Sequence, residues 1–190
     1  QLALQNGAEN GLRTMSSLAR DSLGAAVSGL NTAIGGRSLF SGDAGDARAL
    51  AEADAVFAEA VAILEAAPDA GTAAADLRLA FDGAGGVFET TIYGGGAGDA
   101  PAAEIAEGER IDYSARADEQ PIRDLLRNFA VLAAAYDPAV ALDADTRRGL
   151  VERASAELRN VTDPLNRVVA RIGAAEGRME GVKAAHLASD

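Results

Sequence analysis

The residue types that most often carry catalysis or metal binding are scarce in this chain. It has one histidine, His186, and no cysteine, so thiolate chemistry and disulfides are excluded. No second histidine and no paired carboxylate is spaced with His186, and we expect it to face solvent on a helix. Ser38 and Ser41 have no histidine nearby in the sequence to activate them. The sequence therefore predicts a protein that is not an enzyme and has no cofactor.

A glycine-rich segment, residues 94–99, invites comparison with two kinds of ligand-binding loop. It lacks the Lys-Ser/Thr ending of a phosphate-binding P-loop. Asp99 is also one position out of register with a calcium-binding repeat, of which there is no second copy. Asp43 and Asp46 lack the remaining ligands of an EF-hand loop. We expect a plain flexible loop and no metal site.

The composition argues against binding to nucleic acid or to a membrane surface. The net charge of -12 repels phosphate backbones and anionic lipid, and no apolar run approaches the ~20 residues that a membrane span needs. The apolar residues are mostly Ala, Leu and Val, which either suit close helix–helix contact or serve as helix filler. Because the chain opens within a helical pattern, we expect a fragment of a longer protein.

The first 34 residues have a helical period with small residues along one face. We expect this helix to end at residues 35–36, two glycines, because glycine most easily adopts the left-handed C-terminal conformation. Leu18, Leu23 and Leu30 flank the small-residue face. The residues of the small-residue face are separated alternately by three and four positions. They are Leu12, Met15, Ala19, Ser22, Ala26, Gly29 and Ala33.

Two large apolar residues follow this helix and lie between glycines. Leu39 and Phe40 come after Gly36 and Arg37 and before Gly42. We interpret these five residues as an anchor at a domain joint, in which Leu39 and Phe40 fill the space between the helices and the segment that follows.

The segment after the anchor, residues 43–117, begins with helical patterns. A helix over residues 48–66 is predicted to stop at Pro68 and Gly71. A short helix follows, for which Thr72 is the predicted cap. These two helices open a small inserted unit.

The rest of the insertion has strand patterns. Residues 87–93 are rich in β-branched and aromatic side chains, which predicts a strand. A hairpin turn is predicted at Gly108, between residues 102–107 and residues 110–114, where Ile111 alternates with polar neighbours.

Helical period returns at residue 118. An acidic residue there and Pro121 in the first turn favour a helix start. Asp137-Pro138 ends this helix, and Asp143 is the predicted N-cap of the last one.

The last helix carries the most regular pattern in the chain, which we call the C-terminal seam. Pro164 interrupts it, and because the seam stays in phase we expect a kink there. Alternatively, Asp163 caps a new helix and leaves two collinear pieces. Spacings of three and four across eight positions predict a coiled-coil-like helix. The seam consists of Leu158, Val161, Leu165, Val168, Ile172, Ala175, Met179 and Val182.

These elements together predict a mainly α fold. Residues 1–42 and 118–190 are expected to form an antiparallel bundle of long helices, coiled-coil-like, in which the two terminal helices pair. Residues 43–117 are expected to form an inserted outer domain with short helices and a small β-sheet.

Three stretches resemble the flagellin-like hook-associated protein 3 family, which joins hook to filament in the bacterial flagellum. LNTAIGGRSLFSG at residues 30–42 resembles the turn that ends the family's N-terminal helix. ADEQPIRDLL at residues 117–126 is similar to the return from its outer domain. LNRVVARIGAAEGRME at residues 165–180 is similar to the C-terminal helix that the family shares with flagellins.

The resemblance implies a fragment of a secreted structural subunit that lacks both terminal helices. Its expected partners are other copies of itself and the neighbouring hook-associated and flagellin subunits, with an export chaperone for the full-length protein. The resemblance implies an extracellular location in the flagellum, after export through the flagellar channel, and a fragment that is monomeric in isolation. A filament flagellin is the closer alternative, and a ligand-binding or adhesive module using the β insertion is another.

Overall fold

The computed structural model describes residues 2–34, 36–100, 103–106, 109–111 and 115–189, and side chains for most of them. The chain is mainly helical, with 68% of it in helices, which confirms the predicted class. The helices are α1 (Leu2–Leu30), α2 (Ala53–Ala66), α3 (Ala70–Asp82), α4 (Gln120–Ala134) and α5 (Ala144–Ser189), with a π-helical turn at Phe88–Ile92. The short strands are β1 (Ala33–Ile34), β2 (Arg37–Ser38), β3 (Ala103–Ala106) and β4 (Glu109–Ile111).

The central element is α4, and the other four long helices pack around it. Neighbours in this shell are α1 with α2, α2 with α3, and α3 with α5. The C-terminal half of α4 is buried on all sides, from Ala130 to Ala134, whereas its first half also carries charged side chains. Within the described residues, α1 and α5 make at most marginal contact. The expected direct pairing of the two terminal helices is therefore not observed, because α4 lies between them.

The face of α1 that is buried differs from the predicted small-residue face by about one position. Ala19 belongs to both, but Leu23 and Val27 are buried where Ser22 and Ala26 were expected. The reason is size, since burying a Leu or Val side chain stabilises by roughly 1.5–3 kcal/mol and burying Ser does not.

The end of α1 also differs from the prediction. The helix ends at Leu30, and Asn31 then pairs with the backbone of Leu50 through its side-chain amide, at 3.0 Å and 2.8 Å. Of the two glycines expected to end the helix, Gly35 lies outside the described residues, and Gly36 has φ +82 between β1 and β2. A side-chain bond to a distant strand segment thus stops the helix before the glycines do.

The helices of the insertion start at different residues from those predicted. α2 begins at Ala53, because Leu50 forms an isolated bridge with Tyr93 and is held extended. The cap of α3 is Asp69, whose carboxylate accepts hydrogen bonds from the backbone of Thr72 and its neighbour. Thr72 lies inside the helix and donates its hydroxyl to Asp69.

The strand predicted over residues 87–93 is wrong. Phe88–Ile92 forms a π-helical turn that buries Phe88 and Ile92 and exposes the three residues between them. In a strand Thr90 would share the face of Phe88 and Ile92, but Thr90 is exposed, so the burial pattern matches a helical turn. The β-branched residues here belong to a helix turn with one apolar side.

The antiparallel pairing of the two strands predicted on either side of Gly108 is confirmed. β3 pairs with β4 in antiparallel register, Ala103 opposite Ile111, and this ribbon contacts α5. Gly108 itself, the predicted turn, lies outside the described residues.

The two C-terminal helices begin as predicted. Pro121 lies in the first turn of α4, and Asp143 caps α5 by accepting hydrogen bonds from the backbone N–H groups of Asp145 and Thr146, both at 2.9 Å. α5 continues through Pro164 as one helix, so the alternative of a new helix capped by Asp163 is wrong.

Candidate functional site

The predicted anchor lies where the chain leaves α1 and its short ribbon. Phe40 packs against the core, and its carbonyl accepts a 2.9 Å hydrogen bond from the N–H of Ala117. Leu39 is half-buried, and its N–H donates to the carbonyl of Thr32 at 3.1 Å. Arg37 is exposed and its guanidinium lies over Gly45. The anchor therefore ties the end of the insertion to the start.

A close fit between two glycine-rich turns completes this joint. Gly42 has φ +61, and a side chain at this position would overlap the carbonyl oxygen of Gly98. The N–H of Asp43 donates to Gly98 at 2.9 Å, and the N–H of Gly96 donates to the carbonyl of Ser41 at 2.8 Å. The loop expected to be a plain flexible one is therefore packed against residues 41–43.

Arg116 connects this joint to the start of α4. Its guanidinium makes a two-pronged pair with Asp118, at 2.8 Å and 2.7 Å, and also donates to the carbonyl of Ala97. The hydrogen bonds that Arg116 donates to the Asp118 carboxylate raise the pKa of Arg116 above its ordinary value. Tyr93 donates its hydroxyl to Gly96 at 2.9 Å, and burial raises the pKa of this phenol to about 12. The side-chain polar groups of Arg116 and Tyr93 are thus paired within the joint, as in a structural contact, whereas the buried hydroxyl of Ser38 has no hydrogen-bond partner among the described residues.

The C-terminal seam, which lies on α5, faces the rest of the molecule only in part. Val161 and Val168 are buried, whereas Leu158, Leu165 and Ile172 are half-buried. The buried line extends towards the start of the helix through residues 150–154, which the sequence prediction left out. The side chains of Ala175, Met179 and Val182 lie outside the described set.

The half-buried part of the seam borders an open apolar groove. This α1–α5 groove lies in the gap between α1 and α5, has a volume of about 210 Å³, and presents only side chains that are uncharged and apolar. Its α1 wall includes Ala26 and Gly29, its floor on α4 includes Ile122 and Leu125, and its α5 wall includes Val169 and Ile172. The groove is therefore the unfilled position in the shell of helices around α4.

An ionic cluster fixes the opposite side of α4. Arg127 is almost fully buried and pairs with Asp82 of α3, with Asp124 at 2.8 Å and with Glu157 of α5 at 3.0 Å. Arg78 also pairs with Glu157. Burial opposes ionisation of Glu157, but the hydrogen bonds and charges of the two arginines outweigh it and lower its pKa.

The sequence prediction missed this cluster. Its one local signal was an arginine within the apolar pattern of α4. Its partners on other helices, Glu157 and Asp82, are 30 and 45 residues away in sequence, so spacing does not reveal them; Asp124 on α4 is the local partner.

Within the described part of the chain, no three His, Cys, Asp or Glu residues are grouped to hold a metal ion. None of the described helices is long and apolar enough to cross a membrane. The side chain of His186 lies outside the described residues. Comparison with protein families, curated proteins and solved structures found no match to the chain.

Proposed function

We propose that this protein is a structural subunit of the bacterial flagellum that forms the junction between hook and filament by helical packing. The observation that carries the proposal is the α1–α5 groove. It is an apolar surface bordered by the half-buried residues of a regular seam, and surfaces of this kind are typical of protein–protein contacts.

The regularity of the seam supports a role for it beyond this chain's own core. A repeat of three and four keeps one helix face turned to a partner over its whole length. Here Val161 and Val168 are buried, while Leu165 and Ile172 remain half-exposed. A further layer of helices, packed on this face of α5, would cover Leu165 and Ile172.

The joint around Gly42 holds the glycine loop of residues 94–99 against the end of α1 and the start of α4, through Arg116 and Phe40. The two helices of residues 43–117, α2 and α3, pack on α4 and share its core, so they belong to the helical part rather than to a separate outer domain. In the proposed role the joint fixes this loop while the helices, α2 and α3 included, contact neighbouring subunits. The mechanism is geometric: the helices pack against two slightly different lattices and join the flexible hook to the stiffer filament.

The proposed neighbours are other copies of this chain, further hook-associated subunits and flagellin. The proposed location is extracellular, after export through the flagellar channel with a chaperone. The sequence resemblance at residues 30–42 and 165–180 favours this class of subunit.

Deletion of the gene tests the proposal. We expect cells that assemble hooks, release flagellin into the medium and carry no attached filaments, as seen by electron microscopy. Restoring the gene should restore attachment. A normal filament after deletion would contradict the junction role, and purified full-length protein that grows long filaments alone would favour a flagellin instead.

A further inference from the structure

The proposed function requires contacts between copies, and we infer, on that basis, which surfaces meet. We propose that the α1–α5 groove of one copy receives the outer face of α3 from a second copy, with Leu79 inserted as an apolar knob. The contact is head-to-tail, since the two surfaces lie on different parts of each molecule.

Leu79 is the exposed apolar side chain that the fold itself does not use. Its side chain is 68% exposed, whereas Leu77, Ala80 and Phe81 on the same helix are buried. It therefore points away from α4, on the outside of the shell. The other large apolar side chains exposed among the described residues are Leu18 of α1 and Val169 of α5. Val169 lines the groove, and Leu18 lies on the same face of α1 as Ala25, which also lines it.

Because of the order of the helices around α4, Leu79 and the α1–α5 groove lie on different sides of the same molecule. α3 is bordered by α2 and α5, and the gap that forms the groove lies between α5 and α1. The outer face of α3 therefore cannot contact the α1–α5 groove of the same molecule. A contact that joins two different surfaces leaves one of each free for the next copy, which produces a ring or a helical array.

The groove suits an apolar side chain carried on a helix. Its lining includes no charged side chain, and a Cβ placed on Gly29 would meet nothing within 4 Å. The small wall residues Ala25 and Ala26 also let a second helix approach closely. Beside Leu79, the exposed face of α3 offers Ala75, which is small as well.

Charge favours this pairing of unlike surfaces. α3 itself carries two acidic side chains, Asp76 and Asp82, and one basic side chain, Arg78, and it belongs to a segment, residues 43–117, with 15 acidic and 4 basic side chains in all. α1 carries two of each, and α5 carries eight basic and six acidic ones. A head-to-tail contact brings the acidic part of one copy to the neutral and basic helices of the next. Contact between two acidic parts would be repelled.

Cysteine cross-linking tests the contact directly, because the chain has no native cysteine. We would prepare Leu79→Cys and Val169→Cys as single variants, mix them at high concentration and oxidise them in air. We expect a disulfide-linked dimer that joins residue 79 to residue 169, identified by mass spectrometry. The matched control is Ala139→Cys, an exposed residue in the loop before α5, mixed with Val169→Cys. Circular dichroism checks that each variant is folded.

Two outcomes would overturn the contact. One is cross-linking of the mixture no faster than in the Ala139 control. The other is a dimer that Val169→Cys forms alone as readily as the mixture does, which indicates groove-to-groove pairing. Added salt should slow the mixed reaction, since charge attraction supports it.

The proposed contact and the proposed function are contradicted by different experimental results. Leu79→Asp in cells should reduce filament attachment. Normal attachment of this variant would contradict the proposed contact but not the junction role. A deletion strain with normal filaments would remove the junction role, while the mixed disulfide would still establish a contact between copies.

Discussion

Arg127 of α4 lies 3.0 Å from Glu157 of α5, and 7% of the arginine side chain is exposed. The same guanidinium reaches Asp82 of α3. Three helices are thus held by one buried cation. A buried charge loses most when one partner is removed, because the others remain without compensation.

The first prediction concerns this cation. Arg127→Met keeps much of the side-chain volume but leaves Asp82, Asp124 and Glu157 facing one another. We expect the free energy of unfolding to fall by about 3 kcal/mol, measured by urea denaturation followed by circular dichroism. Arg148→Met is the control, because its pair with Asp145 is exposed and should contribute little. Equal losses in the two variants would contradict a special role for Arg127.

Acid should weaken the same cluster. The pKa of Glu157 is below its ordinary value of 4.5 in the folded protein, so folding favours the ionised form. The stabilisation is present above pH 4.5 and is lost as the pH falls through the lower folded pKa. We expect Glu157→Gln to reduce the acid dependence of the unfolding free energy. An unchanged slope between neutral and acid pH would show that other carboxylates dominate.

Alkali should weaken the joint between the glycine turns. The pKa of Tyr93 is raised from 10.0 to about 12, so the folded protein favours the neutral phenol. Its stabilisation is complete below pH 10 and is lost as the pH rises towards 12. The absorbance of phenolate should show one late-titrating tyrosine that is missing in Tyr93→Phe. A wild-type titration identical to that of the variant would contradict this.

A matched pair of glycines tests the close fit of that joint. Gly42→Ala combines a positive φ with overlap of the Gly98 carbonyl, and we expect a loss of at least about 2 kcal/mol. Gly149→Ala in α5 meets nothing within 4 Å and should stabilise the helix by up to about 1 kcal/mol. Thermal unfolding of the two variants measures both. A Gly42→Ala protein as stable as the parent would mean that the turns do not interlock.

Local signals were sufficient for much of this fold. Asp143 and Pro121 mark helix starts through bonds and angles within one turn, and both were predictable. The seam of α5 was visible because one helix repeats it along its length. Features that depend on distant residues were not predictable, such as the Arg127 cluster and the position of α4 between the two long helices.

The errors also have a common physical origin. Residues 87–93 have the side chains of a strand, yet packing of Phe88 and Ile92 on one side selects a π-helical turn. The predicted buried face of α1 was wrong by about one position. Whether Leu23 or Ser22 faces the core depends on how α1 packs against α4, which is distant in sequence. The groove was not predictable for the same reason, since it exists only where two helices fail to meet.

Mutation of two adjacent valines distinguishes an effect on the stability of the subunit from an effect on its contacts with neighbouring subunits. Val168 is 6% exposed and Val169 is 65% exposed, although both line the groove. Val168→Asp places an unpaired charge in the core and should cost more than about 3 kcal/mol. Ile172→Asp, at a half-buried position, should cost less than Val168→Asp.

Val169→Asp should leave the unfolding free energy within about 0.5 kcal/mol of the parent, because the side chain already lies in water. It should nevertheless reduce filament attachment in cells, since it places a carboxylate on the wall of an apolar contact surface. The Val168 variant would also lose attachment, but through unfolding, so denaturation and attachment must be measured for both. Normal attachment with Val169→Asp would show that the groove is not a contact surface. A large loss of stability in that variant would show instead that the wall of the groove belongs to the core of the subunit.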